Sequence, residues 1–411
     1  MAPRKSRSAE VVSLFSGAGG FDIALERAGW NVVTATDVAS DAMDTLRASK
    51  LAKIAIRGRR GRHLAKTRLI EADVATLTAT DLRPALADAD WRPDLLAGGP
   101  PCQPWSSAGH QKGLNDARGK LIWHMIRLVS ELQPRYVLFE NVRGLVTATG
   151  ATASPGEVLR SIQEDFRELG YSSRIATLNA ADYGAPQRRV RLYLIASKDH
   201  ELPDFPNPTH HQLGLNGLKP WVTLGELLDS VPPPADNEVV VRPSGKWETE
   251  LRELTPGTGI RTVGRVMNNR PSGQWGYRQD GFLADLGRPS RTIRAAPTPD
   301  WIKLPGDDLR RLTWKECAAL QGFPLSWEFC SNSGGLFRLI GNAVQIDAVE
   351  AIGRNLLDSL RKGPLDEPPP MPPWPDYLVR RVRGTEAEHR VNGALRTRIH
   401  TKSNRAVCDA T

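Results

Sequence analysis

The 411-residue chain predicts an α/β protein, a doubly wound and mostly parallel sheet with a smaller irregular module set into it. Three observations carry that expectation. Short apolar runs alternate with stretches of helical spacing from residue 11 to about 198, the pattern of successive βα units. The first of those runs breaks into Ser16-Gly17-Ala18-Gly19-Gly20 before a helix, an opening that lets a ligand approach a helix N-terminus. From about residue 199 the periodicity fades while prolines, glycines and tryptophans become frequent, so a second texture begins.

Composition sets the outer bounds. With 40% hydrophobic and 25% charged residues, the chain is an ordinary globular one, long enough for about two domains. No apolar run reaches the length of a membrane span, and MAPRKSRSAE lacks the apolar centre of a secretory signal. Cys102, Cys317, Cys330 and Cys408 lie far apart with no CxxC pair. A disulfide scaffold or metal cluster is therefore not expected, and a reducing cytoplasm fits better. The net charge of +9 suits a polyanionic partner, although many soluble proteins share such a balance.

The elements follow in order. Val11–Phe15 reads as a buried strand, and Phe21, Leu25 and Ala28 give helical spacing that Gly29 ends. The glycine spacing is not GxGxxG, so the dinucleotide fingerprint does not apply. A second strand, Val32–Thr36, ends at Asp37, placed to accept hydrogen bonds from ribose hydroxyls. A third, Leu69–Ala72, ends at Asp73, which reads equally as a partner for an amino group or as a loop cap. Between them the stretch 50–68 holds eight cations (Lys50, Lys53, Arg57, Arg59, Arg60, Arg62, Lys66, Arg68) and no acid. That density suits a phosphate backbone or a solvated loop.

The strand Asp94–Ala97 runs into Gly98-Gly99-Pro100-Pro101-Cys102-Gln103-Pro104-Trp105. Glycines and prolines there fix Cys102 at the carboxyl end of a strand, where open sheets carry their chemistry. Alone, the turn is as consistent with an inert buried cysteine as with a nucleophile. Ser107–Gly119 is polar and glycine-containing, a loop suited to closing over a site. An amphipathic helix over Leu121–Leu132 precedes a strand, Arg135–Val142, ending in Glu140 and Asn141. Ser154-x-x-Glu157 with Pro155 predicts a capping box for a helix to Gly170. Strands near 173–178 and 190–196 flank Gln187-Arg188-Arg189-Val190-Arg191, and β geometry puts Arg189 and Arg191 on one face. A solvated basic edge strand is the other reading.

Beyond residue 198, Trp221, Trp247, Trp275, Tyr277 and Trp301 are interleaved with arginines. This mixture fits a nucleic-acid surface or an ordinary β-rich appendage. A second capping box, Thr313-x-x-Glu316, opens a helix, and a turn at Ile340–Val344 precedes another to about Leu360. From Gly363 a proline-dense run and a polar basic tail predict disorder to the C-terminus.

Seven pieces in order together resemble the DNA (cytosine-5)-methyltransferases of bacterial restriction–modification type. They are Phe15-Ser-Gly-Ala-Gly-Gly20, Gly99-Pro-Pro-Cys-Gln-Pro-Trp-Ser106, Asp116-Ala-Arg-Gly119, Glu140-Asn-Val142, Gln187-Arg-Arg-Val-Arg191, Arg311-Leu-Thr-Trp-Lys-Glu316 with Gln321-Gly-Phe-Pro324, and Gly341-Asn-Ala-Val344. The resemblance implies a Rossmann-like S-adenosylmethionine-dependent domain over 9–198 plus 335–362 and a target-recognition domain over 199–334, followed by the tail 363–411. It implies S-adenosyl-L-methionine as cofactor, double-stranded DNA as substrate, no metal, a monomer, and a possible cognate restriction endonuclease acting separately. The start of the motifs near residue 11, with no regulatory domain before them, fits the bacterial type.

Four catalytic residues are implied: Cys102, Glu140, Arg189 and Arg191. The cofactor contacts implied are Phe15, Gly17, Gly19, Gly20, Asp37, Val38, Asp73, Val74, Pro101, Leu121 and Asn342. The chemistry accounts for these residue types. A Cys102 thiolate adding to C6 of a flipped-out cytosine makes C5 nucleophilic, while Glu140 holds or protonates N3 and Arg191 binds O2. Arg189 would neighbour or support Arg191. Some positions depart from the family pattern: Asp37 stands where Glu is commoner, Leu339 and Gln345 where Gln and Pro are, and Trp314 where Pro is. Two alternatives are a tRNA methyltransferase of the same fold and a catalytically silent DNA-binding relative; the missing GxGxxG disfavours an oxidoreductase.

Overall fold

The structure, a computed structural model, describes residues 8–388 apart from 89, 102–120, 151, 236–237 and 262–276. Cys102, the loop 107–119 with its Asp116–Gly119 piece, Trp275 and the tail from 389 therefore lie outside the described residues.

The first half alternates strand and helix as the apolar pattern requires. It runs β1 (Glu10–Leu14), α1 (Gly20–Ala28), β2 (Asn31–Asp37), α2 (Ser40–Leu51), β3 (Arg68–Glu71), α3 (Ala79–Leu82) and β4 (Leu95–Gly98). Then come α4 (Leu121–Leu132), β5 (Tyr136–Val142), α5 (Glu157–Glu168), β6 (Ser172–Asn179), β7 (Gln187–Arg188) and β8 (Val190–Ser197). Seven of these strands form one sheet in the order β3-β2-β1-β4-β5-β8-β6. The pairs from β3 to β5 are parallel, whereas β8 runs antiparallel to both β5 and β6.

Period-2 alternation along the strands builds two apolar layers, one on each face. Val11, Leu95, Ala97, Leu138 and Ile195 pack with α1, α2 and a late helix. Val12, Leu14, Leu96, Val137 and Leu194 pack with α4 and α5 on the other side. This is the doubly wound arrangement expected from the sequence.

The irregular region contributes β9 (His210–His211), β10 (Lys219–Pro220), α6 (Leu224–Ser230), α7 (Gly245–Arg252), β11 (Thr258–Arg261), β12 (Tyr277–Leu283), β13 (Ser290–Arg291), β14 (Trp301–Leu304) and β15 (Asp308–Arg311). A four-stranded sheet in the order β11-β12-β14-β15 is its centre. β13 pairs with β7, which ties this region to the large sheet's own chain. The chain then forms α8 (Trp314–Leu320), α9 (Ser333–Asn342) and α10 (Ile346–Arg361), and α10 packs along α1.

Several expectations change. Glu157 does not cap its helix: α5 starts behind Gly156 in a left-handed turn, and the Glu157 carboxylate accepts instead from the Gly150 and Thr152 amides at 3.1 Å. The Thr313–Glu316 box forms as expected, and a second one the sequence reading missed, Thr223–Glu226, opens α6. Ile340–Asn342 are the last turn of α9 rather than a free turn, and the break falls at Ala343–Gln345.

The described tryptophans of this region are tied into the frame. Trp301 is buried with its indole donating to Asp280 O at 2.9 Å, under the Arg311 guanidinium 4.0 Å from its ring. Trp247 packs on Trp301, and Trp221 donates to Asp182 at 2.9 Å. The basic stretch 50–68 is likewise partly internal. Buried His63 meets Glu26 of α1 at 2.7 Å, Arg59 donates to Glu26 O at 2.6 Å, and Arg57 faces Asp347 of α10.

The tail is not wholly disordered. Residues 376–388 form a helix, α11, whose Leu378 and Val382 enter the α4–α5 apolar layer. Ahead of it Trp374 donates to Gln163 of α5, and the Tyr377 hydroxyl accepts from the Thr177 amide of edge strand β6 at 2.8 Å. Proline density misled the compositional reading, because an extended strap needs few backbone bonds of its own when aromatic anchors fix it. It also covers a sheet edge.

Candidate active site

Strand order reverses between β1 and β4, and there the carboxyl ends of β1 to β5 leave a crevice. A cavity of about 320 Å³ opens in it. Each strand end supplies a wall: Phe15 to Gly17 after β1, Asp37 and Val38 at β2, Asp73 and Val74 after β3, Gly99 to Pro101 after β4, and Glu140 with Val142 at β5. Gly20 and Phe21 of α1, Leu121 of α4, and Asn342 complete the enclosure.

The glycine turn is shaped by its backbone. Phe15 and Gly17 both take left-handed φ values, 55° and 54°, to swing the chain from β1 towards α1. The Gly17 amide donates to Asp37 Oδ2 at 2.8 Å, and the Ala39 amide to Oδ1 at 2.9 Å. Asp37 is thus fixed at the cavity edge, and burial raises its pKa above the ordinary carboxylate value despite those donors. Gly19 differs from its neighbours. It does not line the cavity; an added Cβ would lie 2.9 Å from Leu46 and 3.0 Å from Trp327, so packing explains this glycine.

At the opposite wall Glu140 and Arg191 meet, with Arg191 Nε 3.3 Å from Glu140 Oε1. Sheet register brings them together. β8 runs antiparallel to β5 with Arg191 opposite Val142, so Glu140, two residues earlier, is its diagonal neighbour on the same face. Burial raises the Glu140 carboxyl above its ordinary value, and Arg191 and Arg189 pull it back. Such a group can hold a proton within a site and give it up.

Arg189 has another task. It sits in the break between β7 and β8, 3% exposed, and donates to Ile293 O at 3.2 Å, Gly341 O at 3.0 Å and Ala343 O at 2.9 Å. The two arginines that strand geometry pairs therefore both border the cavity, but one faces the carboxylate and one staples three main-chain carbonyls. Neither lies on a solvated edge: Arg189 is buried in the break, and β8, which carries Arg191, is paired on both sides. Cys102 follows the wall residue Pro101 in sequence and lies outside the described residues.

The profile of the C-5 cytosine-specific DNA methylase family matches residues 9–358. The chain belongs to that family. It is a DNA (cytosine-5) methyltransferase. Among relatives, the Type II methyltransferase M.NgoFVII of Neisseria gonorrhoeae is 31% identical over 360 residues, covering 86% of this chain and 87% of its own. M.FnuDI of Fusobacterium nucleatum is 30% identical over 365 residues, 85% of this chain and 95% of its own. A solved putative DNA modification methyltransferase of an E. coli prophage superposes with a TM-score of 0.60 at 25% identity, over 86% of this chain and all of its own.

Several residues of this methylase carry the site without having been assigned a role from sequence. Asn141 donates to Pro100 O at 3.2 Å, so the residue after Glu140 holds the proline turn that leads to Cys102. Gln187 bonds Gln321 Oε1 at 3.1 Å and accepts from the Ile293 amide at 3.0 Å, while Gln321 donates to Ile340 O at 2.7 Å. With Arg189 they form a buried polar clamp between the β7–β8 break and the end of α9. Gly341 is small because a Cβ there would stand 2.3 Å from the Arg294 backbone carbon. All of these lie inside the quoted motif pieces; what sequence lacks is the partner, which lies from 19 to 134 residues away.

Proposed function

We propose that this methylase transfers the methyl group of S-adenosyl-L-methionine to C5 of a cytosine flipped out of a specific double-stranded DNA sequence, through a covalent bond between Cys102 and C6. The observation that carries the reading is the convergence, in one cavity, of the glycine turn and Asp37 with the Glu140–Arg191 pair and the proline turn before Cys102. The reading also takes up the names of the relatives, which are Type II methyltransferases, and adds a separate cognate restriction endonuclease as partner.

The cavity fits the cofactor's chemistry. Asp37 offers carboxylate oxygens for ribose hydroxyls and Asp73 for an adenine amine, while Phe15, Val38, Val74 and Leu121 provide apolar wall. Pro101 and Asn342 would close the remaining sides, and the α1 N-terminus at Gly20 faces an anionic group well. When bound, the cofactor supplies an electrophilic methyl on a sulfonium.

Every other step belongs to the chain and the base. Cys102 as thiolate adds to C6, the ring gains the electron pair, and C5 becomes an enamine carbon. Glu140 in protonated form donates to N3 as that charge develops and, as carboxylate, accepts from the exocyclic amine. Arg191 binds O2 and keeps the ring in register with Glu140. After C5 gains its methyl, loss of the C5 proton to a base expels Cys102.

Residues 9–198 with 335–362 would form the catalytic domain and 199–334 the target-reading domain, the clamp of Gln187, Arg189 and Gln321 joining them. Bisulfite sequencing of DNA from a host expressing the protein tests the function: conversion-resistant cytosines at one sequence are expected. Label from purified enzyme appearing in tRNA and not in duplex DNA would overturn it.

A further inference from the structure

The C-terminal strap brings an arginine to the turn that follows the cavity wall residue Val142. After β5 the chain turns through Arg143–Thr147, directly following the wall residue Val142. α11 docks against this turn. Val146 and Val382 share the apolar layer, and a Cβ added at Gly156 would stand 3.3 Å from both the Val146 carbonyl and the Val382 methyl. Arg160 reaches the same place: a Cβ added at Gly156 would stand 3.5 Å from its guanidinium, which lies 5.2 Å from the Trp374 ring centroid.

Arg381 lies on the inner side of α11, one residue before buried Val382, and is half-buried against the turn. Burial and the adjacent Arg143 charge both lower its pKa from the ordinary guanidinium value, and Glu388 offsets this only by longer-range attraction. Among the described residues no carboxylate forms a salt bridge with Arg143, Arg160 or Arg381. The buried Arg381 Nε also lacks a hydrogen-bond partner among them. Packing like charges together without counter-ions costs stability, so this cluster suits an anion brought from outside.

We propose that Arg143 and Arg381 form a phosphate clamp for the DNA backbone beside the flipped cytosine, so that the C-terminal strap is part of the substrate-binding surface. The proposal rests on the reading of the chain as a duplex-DNA methyltransferase. A phosphate diester presents acceptor oxygens to guanidinium forks, and duplex DNA lying over the strand ends would bring its backbone past Val142. The contact carries no sequence information and adds affinity through counterion release.

The test is the salt dependence of duplex binding by the full-length protein, for wild type, Arg143→Gln, Arg381→Gln and Arg381→Lys. Each Gln variant should reduce the slope of log K against log salt by about 0.9, the value for one lost phosphate contact. Arg381→Lys should keep most of the slope, which separates a charge effect from a loss of packing. S-adenosylmethionine affinity should be equal in all four. Unchanged slopes in both Gln variants, with wild-type binding intact, would overturn the clamp alone. Absence of duplex binding by wild type would instead overturn the underlying reading and the clamp with it.

Discussion

Replacing Arg189 with Met should separate it from Arg191 in a way that their spacing in sequence does not suggest. The change keeps length and apolar bulk but removes donors to Ile293 O, Gly341 O and Ala343 O. Ala343 O keeps a donor in Gln321 Nε2 at 3.2 Å, so two buried carbonyls, Ile293 O and Gly341 O, lose their Arg189 donor. At about 1–3 kcal/mol for each buried acceptor left unmade, the loss is roughly 2–6 kcal/mol. Because Gly341 and Ala343 flank Asn342 on the cavity wall, the KM for S-adenosylmethionine should also rise. Arg191→Met removes a group whose Nη1 donates to the adjacent Val190 O and whose Nε faces Glu140, and its effect should fall on kcat. Urea unfolding followed by tryptophan fluorescence, with methyl-transfer kinetics on the same samples, reads both quantities. A loss below about 0.5 kcal/mol for Arg189→Met, or equal losses for both variants, would refute the assignment of Arg189 as a staple.

Two further changes probe the supports of the site. Gly341→Ala places a Cβ 2.3–2.4 Å from the Arg294–Ala295 backbone, where no flexible side chain can yield, so it should destabilise by at least about 1–3 kcal/mol; an unchanged unfolding midpoint would refute the close approach. Asp22, fully buried in the first turn of α1 near Ser13 and Ser16, has its pKa pushed up by burial from 3.8 to about 7. Between those values the folded chain holds a proton that the unfolded chain has released, so stability falls as pH rises through that window. The full difference is roughly 4 kcal/mol, and Asp22→Asn should flatten the dependence between pH 5 and 7. Parallel stability curves for wild type and variant would contradict it.

The frame of the fold was legible because its signals are local. Periodicity in the runs at 11–15, 32–36 and 136–142 marks strands, and the glycines at 17–20 mark a turn whatever surrounds them. Glu140 and Arg191 were recognisable as chemistry from motif and position, but their contact depends on β8 running antiparallel, which no local pattern states. Long-range partners were the blind spot. Arg189 reads like Arg191 until Ile293 and Gly341 are beside it, and Gly19 reads like Gly17 until Trp327 covers it. Trp301 and Trp247 resembled a binding surface because interior and interface use the same aromatic–arginine pairing. The strap at 363–388 was misjudged for a related reason: its anchors Trp374, Leu378 and Val382 are few, and composition averages them away.

The central claim, covalent attack by Cys102 on a flipped cytosine, is tested most directly with duplex DNA carrying 5-fluorocytosine at the target position. Fluorine at C5 blocks the final elimination, so incubation with S-adenosylmethionine should give a protein–DNA adduct that survives denaturing electrophoresis. Cys102→Ala should give none, and mass spectrometry should place the linkage on Cys102. An enzyme that methylates unmodified DNA yet forms no adduct, or forms one equally without Cys102, would contradict the account.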